Sequence, residues 1–246
     1  MRPMCRHLAY LGTPIKLSEL LFDPPNALVR QSWAPRDMRG GGTINADGFG
    51  VAWGTTRFRS AMPMWSDTAL PQLAATTVSG VVLAAVRSAT VGMPVTETAS
   101  APFQEGRWLF SHNGVVRGWP GSIAKLASRL PTTDLMTLDA PTDSAVLWAL
   151  IRDRLRAGIS LAAAVTEVVA EVEAAAPESR LNLLLTDGSQ IVATTVGHSL
   201  SFCKRADAVL VSSEPLDDAP GWEPVPDRHL LVATPSEVTR TPLGRA

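Results

Sequence analysis

What most constrains this chain is the order of its hydrophobic segments: short β-like runs, then two long helical patterns, then a second set of β-like runs. Residues 5–11, 49–53, 81–87 and 108–111 are rich in apolar or aromatic side chains and bounded by Gly, Pro or Asn, as largely buried strands are. Residues 181–186 and 191–196 read as a hairpin joined at Asp187-Gly188-Ser189, where Asp-Gly predicts a tight turn with positive φ angles. Further strands are expected over 199–204, 208–212, 229–233 and 238–241. Between the two sets, Thr142 or Asp143 caps a segment in which Val146, Leu147, Leu150, Ile151 and Leu155 share one helical face. Ser160 caps a second, carrying Val165, Val168, Val169 and Val172, which Pro177 stops. Shorter helices are expected near 70–76 and 122–130. This order argues against a regular βαβ repeat and predicts an α+β domain of two sheets packed face to face with helices outside.

Composition narrows the function classes. At 246 residues, 46% of them apolar, the chain can bury a core without disulfide staples. With 22 basic and 23 acidic side chains it carries no electrostatic footprint for nucleic acid. No apolar stretch approaches the roughly 18 residues of a spanning helix, and the N-terminal segment, broken by Gly12 and Pro14, lacks a signal-peptide core. Neither nucleic acid nor membrane is therefore an expected partner. The two cysteines, Cys5 and Cys203, make no disulfide framework, so a reducing cytoplasm is the expected compartment. Neither has partners at zinc-site spacing, and no metal or other cofactor is expected. Without repeats or a low-complexity linker, the chain reads as one domain. Its oligomeric state is not legible.

Cys5 is the first residue to weigh for chemistry. If translation starts at Met4 and that methionine is trimmed, Cys5 carries a free α-amine beside its thiol. An amine titrating at about 7.7–8.0 can accept the thiol proton, so nucleophile and base occupy one residue. Position alone favours an ordinary buried cysteine. His7 shares a strand face with Cys5, but neighbours on one face lie about 6–7 Å apart, long for a nucleophile–base hydrogen bond, and a structural histidine is the better reading. Arg87, at a strand end, can hold a carboxylate bidentately or lie in a loose surface pair. In Ser111-His112-Asn113-Gly114, which ends a strand, the Asn113 amide and the Gly114 N–H could form an oxyanion hole, although Asn-Gly is also a plain turn signal. For Asp143, helix capping is sufficient explanation.

Taken together, Met4-Cys5-Arg6-His7, Asn45 to Trp53 (NADGFGVAW), Arg87 to Gly92, His112-Asn113-Gly114-Val115 and Thr142-Asp143-Ser144 resemble the class II glutamine amidotransferases, the cysteine branch of the N-terminal nucleophile hydrolases. Asp23-Pro24-Pro25, Ala84 to Pro94, Arg180-Leu181-Asn182 and Val225 to Leu230 are similar to the γ-glutamyl hercynylcysteine sulfoxide hydrolases of ergothioneine biosynthesis. The resemblance implies a four-layer α-β-β-α sandwich with the nucleophile at the start of a central strand. It implies that Cys5 attacks the γ-carbonyl of a glutamyl amide and that its α-amine moves the proton. Asn113 and Gly114 would hold the oxyanion, Arg87 and Thr90 the α-carboxylate, and Asp143 the α-ammonium. The expected domain spans residues 5–246, with 1–4 absent from the mature chain.

No residues remain for a synthase domain that would use released ammonia. The resemblance therefore favours stand-alone hydrolysis of a small-molecule γ-glutamyl substrate, with a glutaminase subunit or a non-catalytic γ-glutamyl-binding protein as alternatives. Seven tryptophans stand beside one tyrosine. Trp33, Trp53, Trp65 and Trp119 are candidates for binding a trimethylammonium leaving group over an aromatic face, with core packing as the ordinary alternative.

Overall fold

The structure, a computed structural model, describes residues 5–37 and 44–244. Thirteen strands are present among them: β1 Arg6–Lys16, β2 Phe49–Trp53, β3 Thr56–Ser60, β4 Val78–Val86, β5 Phe103–Glu105, β6 Trp108–Val115, β7 Arg180–Thr186, β8 Ile191–Thr195, β9 Ser201–Lys204, β10 Ala208–Ser212, β11 Trp222–Pro224, β12 His229–Ala233 and β13 Val238–Pro242. Seven α-helices accompany them: α1 Ser18–Leu21, α2 Leu28–Gln31, α3 Leu70–Thr76, α4 Ala124–Ala127, α5 Thr132–Met136, α6 Asp143–Arg156 and α7 Leu161–Ala175. The strands form a seven-stranded sheet, β11-β9-β10-β1-β4-β2-β3, and a six-stranded sheet, β13-β12-β8-β7-β6-β5.

The period-2 alternation of strand side chains builds the layers. On β1, Leu8 and Tyr10 face outward into a cluster with Leu20 of α1, Leu28 of α2 and Leu70 of α3. Ala9 and Leu11 face inward, meeting Leu109, Leu184 and Leu231 of the other sheet. On that sheet's outer face, Phe110, Leu181, Leu183 and Leu185 pack against Leu147 and Leu150 of α6 and Val165, Val168 and Val172 of α7. The Phe110 and Trp148 rings stack at 5.6 Å. The result is the four-layer α-β-β-α sandwich, with β1 the middle strand of its sheet.

The caps of the two long helices are those expected. Thr142 accepts from the Ala145 N–H and Ser160 from the Ala163 N–H, and α7 stops two residues before Pro177. Several details differ from the sequence reading. The strand expected to end at Ser111 continues to Val115, because β7 pairs with it through Asn113↔Asn182 and Val115↔Arg180. No turn lies at Asn113-Gly114, and Gly114 answers a different need: a Cβ there would sit 1.9 Å from the Arg180 carbonyl oxygen. The expected hairpin is present, residues 187–190 connecting β7 and β8, which pair at Thr186↔Ile191. Gly188 alone in it has positive φ, and Asp187 Oδ1 accepts from the backbone of Ser189 and Gln190. The 122–130 helix is only a 3-10 turn and the four residues of α4. β1 runs past Gly12 to Lys16, with a register shift between Leu11 and Ile15 that absorbs the break.

Candidate active site

The two sheets bring their ends together around Cys5. β1 begins one residue after it, β4 ends one residue before Arg87, and β6 carries His112 and Gly114. α6 opens with Asp143 and Ser144. A narrow cleft is lined by Cys5, Arg87, Ser88, Thr90, Met93, His112, Gly114, Thr142, Asp143 and Ser144. A second lobe, on Ala85, Phe103 and Ser111, shares Cys5, Arg87, His112 and Ser144 with it. Five of the six residues expected at the site from the sequence therefore surround one cleft. Asn113 does not line it: the side chain is buried, and its Oδ1 has no hydrogen-bond partner among the described residues.

Each charge is held by neutral groups. Arg87 continues the β4 ladder, its N–H donating to Gly48 O at 2.8 Å, and its guanidinium Nη1 donates to Pro94 O at 2.8 Å. Asp143 Oδ2 accepts from the Val116 N–H at 2.9 Å and Oδ1 from the Ser144 N–H at 2.8 Å, at the positive end of α6. A buried cation and a buried anion thus face one small cleft without being spent on each other, which suits a zwitterionic ligand. Asp47, in the NADGFGVAW segment, fixes the strap after Arg87: its Oδ2 accepts from the Ala89 N–H at 2.8 Å.

Cys5 is partly buried, and its Sγ donates to the Ser88 carbonyl at 3.8 Å. Burial pushes its thiol above the ordinary range, while the Arg87 and Arg6 charges pull it down and Asp143 adds to the rise. A protonated thiol needs a base, and no basic side chain among the described residues bonds to Sγ. His7 is not that base. It is fully buried, its Nδ1 lies 3.1 Å from Ser111 Oγ, and desolvation, with the His112, His198 and Arg6 charges, holds its pKa down at about 3.

That shift has a measurable consequence. The unfolded chain binds a proton at His7 near its ordinary 6.5, whereas the folded chain does not until about pH 3. Stability is therefore complete above about pH 6.5 and falls as the pH drops through that window, by up to roughly 1.4 kcal/mol per pH unit. Urea midpoints measured between pH 7 and pH 4 should decline with this slope, and His7→Gln should flatten it. An unchanged slope in that variant would remove His7 as the cause.

Several residues at the site escaped the sequence reading. Arg6 is buried and paired with Glu214, Nε to Oε1 at 3.0 Å, and its Nη1 donates to the Cys5 carbonyl at 3.0 Å, so an ion-paired side chain fixes the backbone at Cys5. Its Nη2 donates to the Asp37 carbonyl. Glu214 also accepts from the Arg36 and Asp37 N–H groups. Nothing local in sequence joins residues 6 and 214. His112 and Ser144 stand inside motifs that were visible, but the sequence does not show that they touch, with Nδ1 and Oγ 3.0 Å apart. Of the four tryptophans, Trp119 lines a cavity that shares Thr90 and Met93 with the cleft. Trp33 has the Arg30 guanidinium 4.0 Å over its ring, Trp53 lies on β2, and Trp65 is exposed on a 3-10 turn. The expected absence of residues 1–4 falls outside the described residues. Among the described residues no three His, Cys, Asp or Glu side chains group as a metal site would require, and no helix is long and apolar enough to cross a membrane.

A partly buried free cysteine opening a central strand of a four-layer α-β-β-α sandwich is the arrangement of an N-terminal nucleophile type of hydrolase site. The chain belongs to the class-II glutamine amidotransferases, whose sequence profile matches residues 21–207. It is 44% identical over 246 residues to the γ-glutamyl-hercynylcysteine sulfoxide hydrolase of Mycolicibacterium smegmatis, covering 98% of this chain and all of the relative. Identity to the protein of the same name from Mycobacterium tuberculosis is also 44%, over 99% of this chain and 98% of the relative. Among solved structures, a class-II domain protein from Silicibacter pomeroyi superposes with a TM-score of 0.66 at 24% identity, covering 98% of this chain and 100% of that one. The glutamine phosphoribosylpyrophosphate amidotransferase of Bacillus subtilis gives 0.63 at 14% identity, covering 98% of this chain and 49% of the larger protein. These two likenesses concern the fold.

Proposed function

We propose that this protein hydrolyses the γ-glutamyl amide bond of γ-glutamyl hercynylcysteine sulfoxide, releasing glutamate and hercynylcysteine sulfoxide in ergothioneine biosynthesis. The observation that carries the reading is the cleft in which Arg87 and Asp143, opposite charges held only by neutral groups, flank Cys5. The relatives at 44% identity over nearly the whole chain bear that substrate in their name.

In this reading the working chain is one domain beginning at Cys5, in the cytoplasm. The α-amine takes the thiol proton and the thiolate attacks the γ-carbonyl. The Gly114 N–H stabilises the tetrahedral oxyanion, a donor worth roughly 3–4 kcal/mol in comparable sites; the resemblance gives the second donor to Asn113, whose buried side chain is not among the residues lining the cleft. Collapse breaks the C–N bond, and the α-ammonium returns its proton to the departing amine. Water, deprotonated by the same amine, then cleaves the thioester and frees glutamate. Arg87 and Thr90 hold the α-carboxylate and Asp143 the α-ammonium throughout.

Turnover of the sulfoxide measured beside L-glutamine tests the assignment. The sulfoxide should be the better substrate by kcat/KM, and a chain that prefers glutamine and releases ammonia would instead be a glutaminase subunit.

A further inference from the structure

Ser144 lines both lobes of the cleft beside Cys5, and none of the roles above uses it. Its Oγ lies 3.0 Å from His112 Nδ1, and His112 Nε2 lies 2.9 Å from the Arg180 carbonyl oxygen. A carbonyl only accepts, so Nε2 carries a proton. In the neutral ring Nδ1 is then an acceptor, and the Ser144 hydroxyl must be its donor. The competing acceptor, Asp143 Oδ1, is farther away, at 3.4 Å. A serine hydroxyl has one proton, and here it is committed to the ring. Toward the cleft, Ser144 Oγ offers lone pairs alone.

The environment of Gly114 supports this arrangement. A Cβ at that position would sit 2.6 Å from His112 Nε2 as well as on the Arg180 carbonyl, so the glycine leaves room for the bond that sets the tautomer. The chain Arg180 carbonyl, His112 ring, Ser144 hydroxyl therefore ends as a fixed acceptor next to the Asp143 carboxylate.

We propose that Ser144 Oγ accepts a hydrogen bond from the α-ammonium of the bound γ-glutamyl group, sharing that ammonium with Asp143. The proposal rests on the γ-glutamyl reading above. An ammonium points three protons in different directions. One carboxylate, already accepting two backbone N–H groups, does not satisfy all of them. A neutral acceptor beside it completes the shell without a second negative charge that would oppose the substrate's carboxylate.

The test uses the full chain carrying Cys5→Ala, which binds without turnover, and compares the affinities of L-glutamate and glutarate by calorimetry. Glutarate lacks only the ammonium. The Cys5→Ala chain should prefer L-glutamate, and adding Ser144→Ala should cut that preference by a factor of about ten or more, the worth of a hydrogen bond to a charged group. Ser144→Thr, which keeps the hydroxyl, should retain it. A preference unchanged by Ser144→Ala overturns the role of Ser144 and leaves the γ-glutamyl reading standing. A Cys5→Ala chain that does not distinguish the two ligands overturns that reading, and the proposal with it.

Discussion

Replacing Cys5 by alanine is expected to lower the release of glutamate by at least about 10⁴-fold, the scale of losses when a covalent nucleophile is removed. Binding of the γ-glutamyl group should survive, because Arg87, Thr90 and Asp143 remain in place around the cleft. The substitution is small and the site is partly buried, so the variant should fold. Glutamate release by the Cys5→Ala protein, followed by mass spectrometry over hours, checks this. Turnover within tenfold of the parent would leave the cleft a binding site whose chemistry lies elsewhere.

The second large effect concerns the residue before Cys5. A chain that keeps one residue there turns the α-amine into a peptide nitrogen, which cannot accept a proton. The Cys5 thiol, pushed up by burial, then has no base, since His7, its pKa held at about 3, is too weakly basic to take the proton. General-base catalysis contributes about 10²–10⁴-fold, so a chain with a retained residue should be slower by about that factor than one beginning at Cys5. Parallel assays of the two chains, each verified by intact mass, measure it. Equal rates would remove the α-amine from the mechanism.

The parts of this account legible in the sequence are those with local causes. Short apolar runs bounded by turn residues located β2, β4, β7, β10 and β12, and the Thr142 and Ser160 caps located α6 and α7, because these signals act within a few residues. α1 and α2 span four residues each, too short to show a 3.6-residue period, and neither has a side-chain cap. The site divides the same way. Cys5, Arg87, Thr90, Gly114 and Asp143 stood in motifs, and the structure gathers them. Asn113 stood in the same motif yet lies off the cleft lining. The Arg6–Glu214 pair and the Arg180–His112–Ser144 chain join residues far apart in sequence, and only the packing of the elements shows them. Of the runs shared with the sulfoxide hydrolases, Ala84 to Pro94 supplies Arg87, Ser88, Thr90 and Met93 to the cleft, whereas Arg180 to Asn182 and Val225 to Leu230 brace the sheet. Asp227 Oδ1 accepts from the Gly197 N–H, Arg228 pairs with Glu173, and Asn182 ties down the backbone at Val196 and His198. Likeness in these two runs therefore carries information about the fold around the site, whereas likeness in the Ala84 to Pro94 run bears on the cleft itself, where Ser88 O accepts from Cys5 Sγ.

The central claim is that a chain beginning at Cys5 cleaves one particular amide bond. Incubating it with synthetic γ-glutamyl hercynylcysteine sulfoxide and counting both products by mass spectrometry tests this most directly. The account predicts glutamate and hercynylcysteine sulfoxide released in equal amounts, with none from the Cys5→Ala protein. An intact sulfoxide after prolonged incubation with that chain, or equal release by Cys5→Ala, would contradict it.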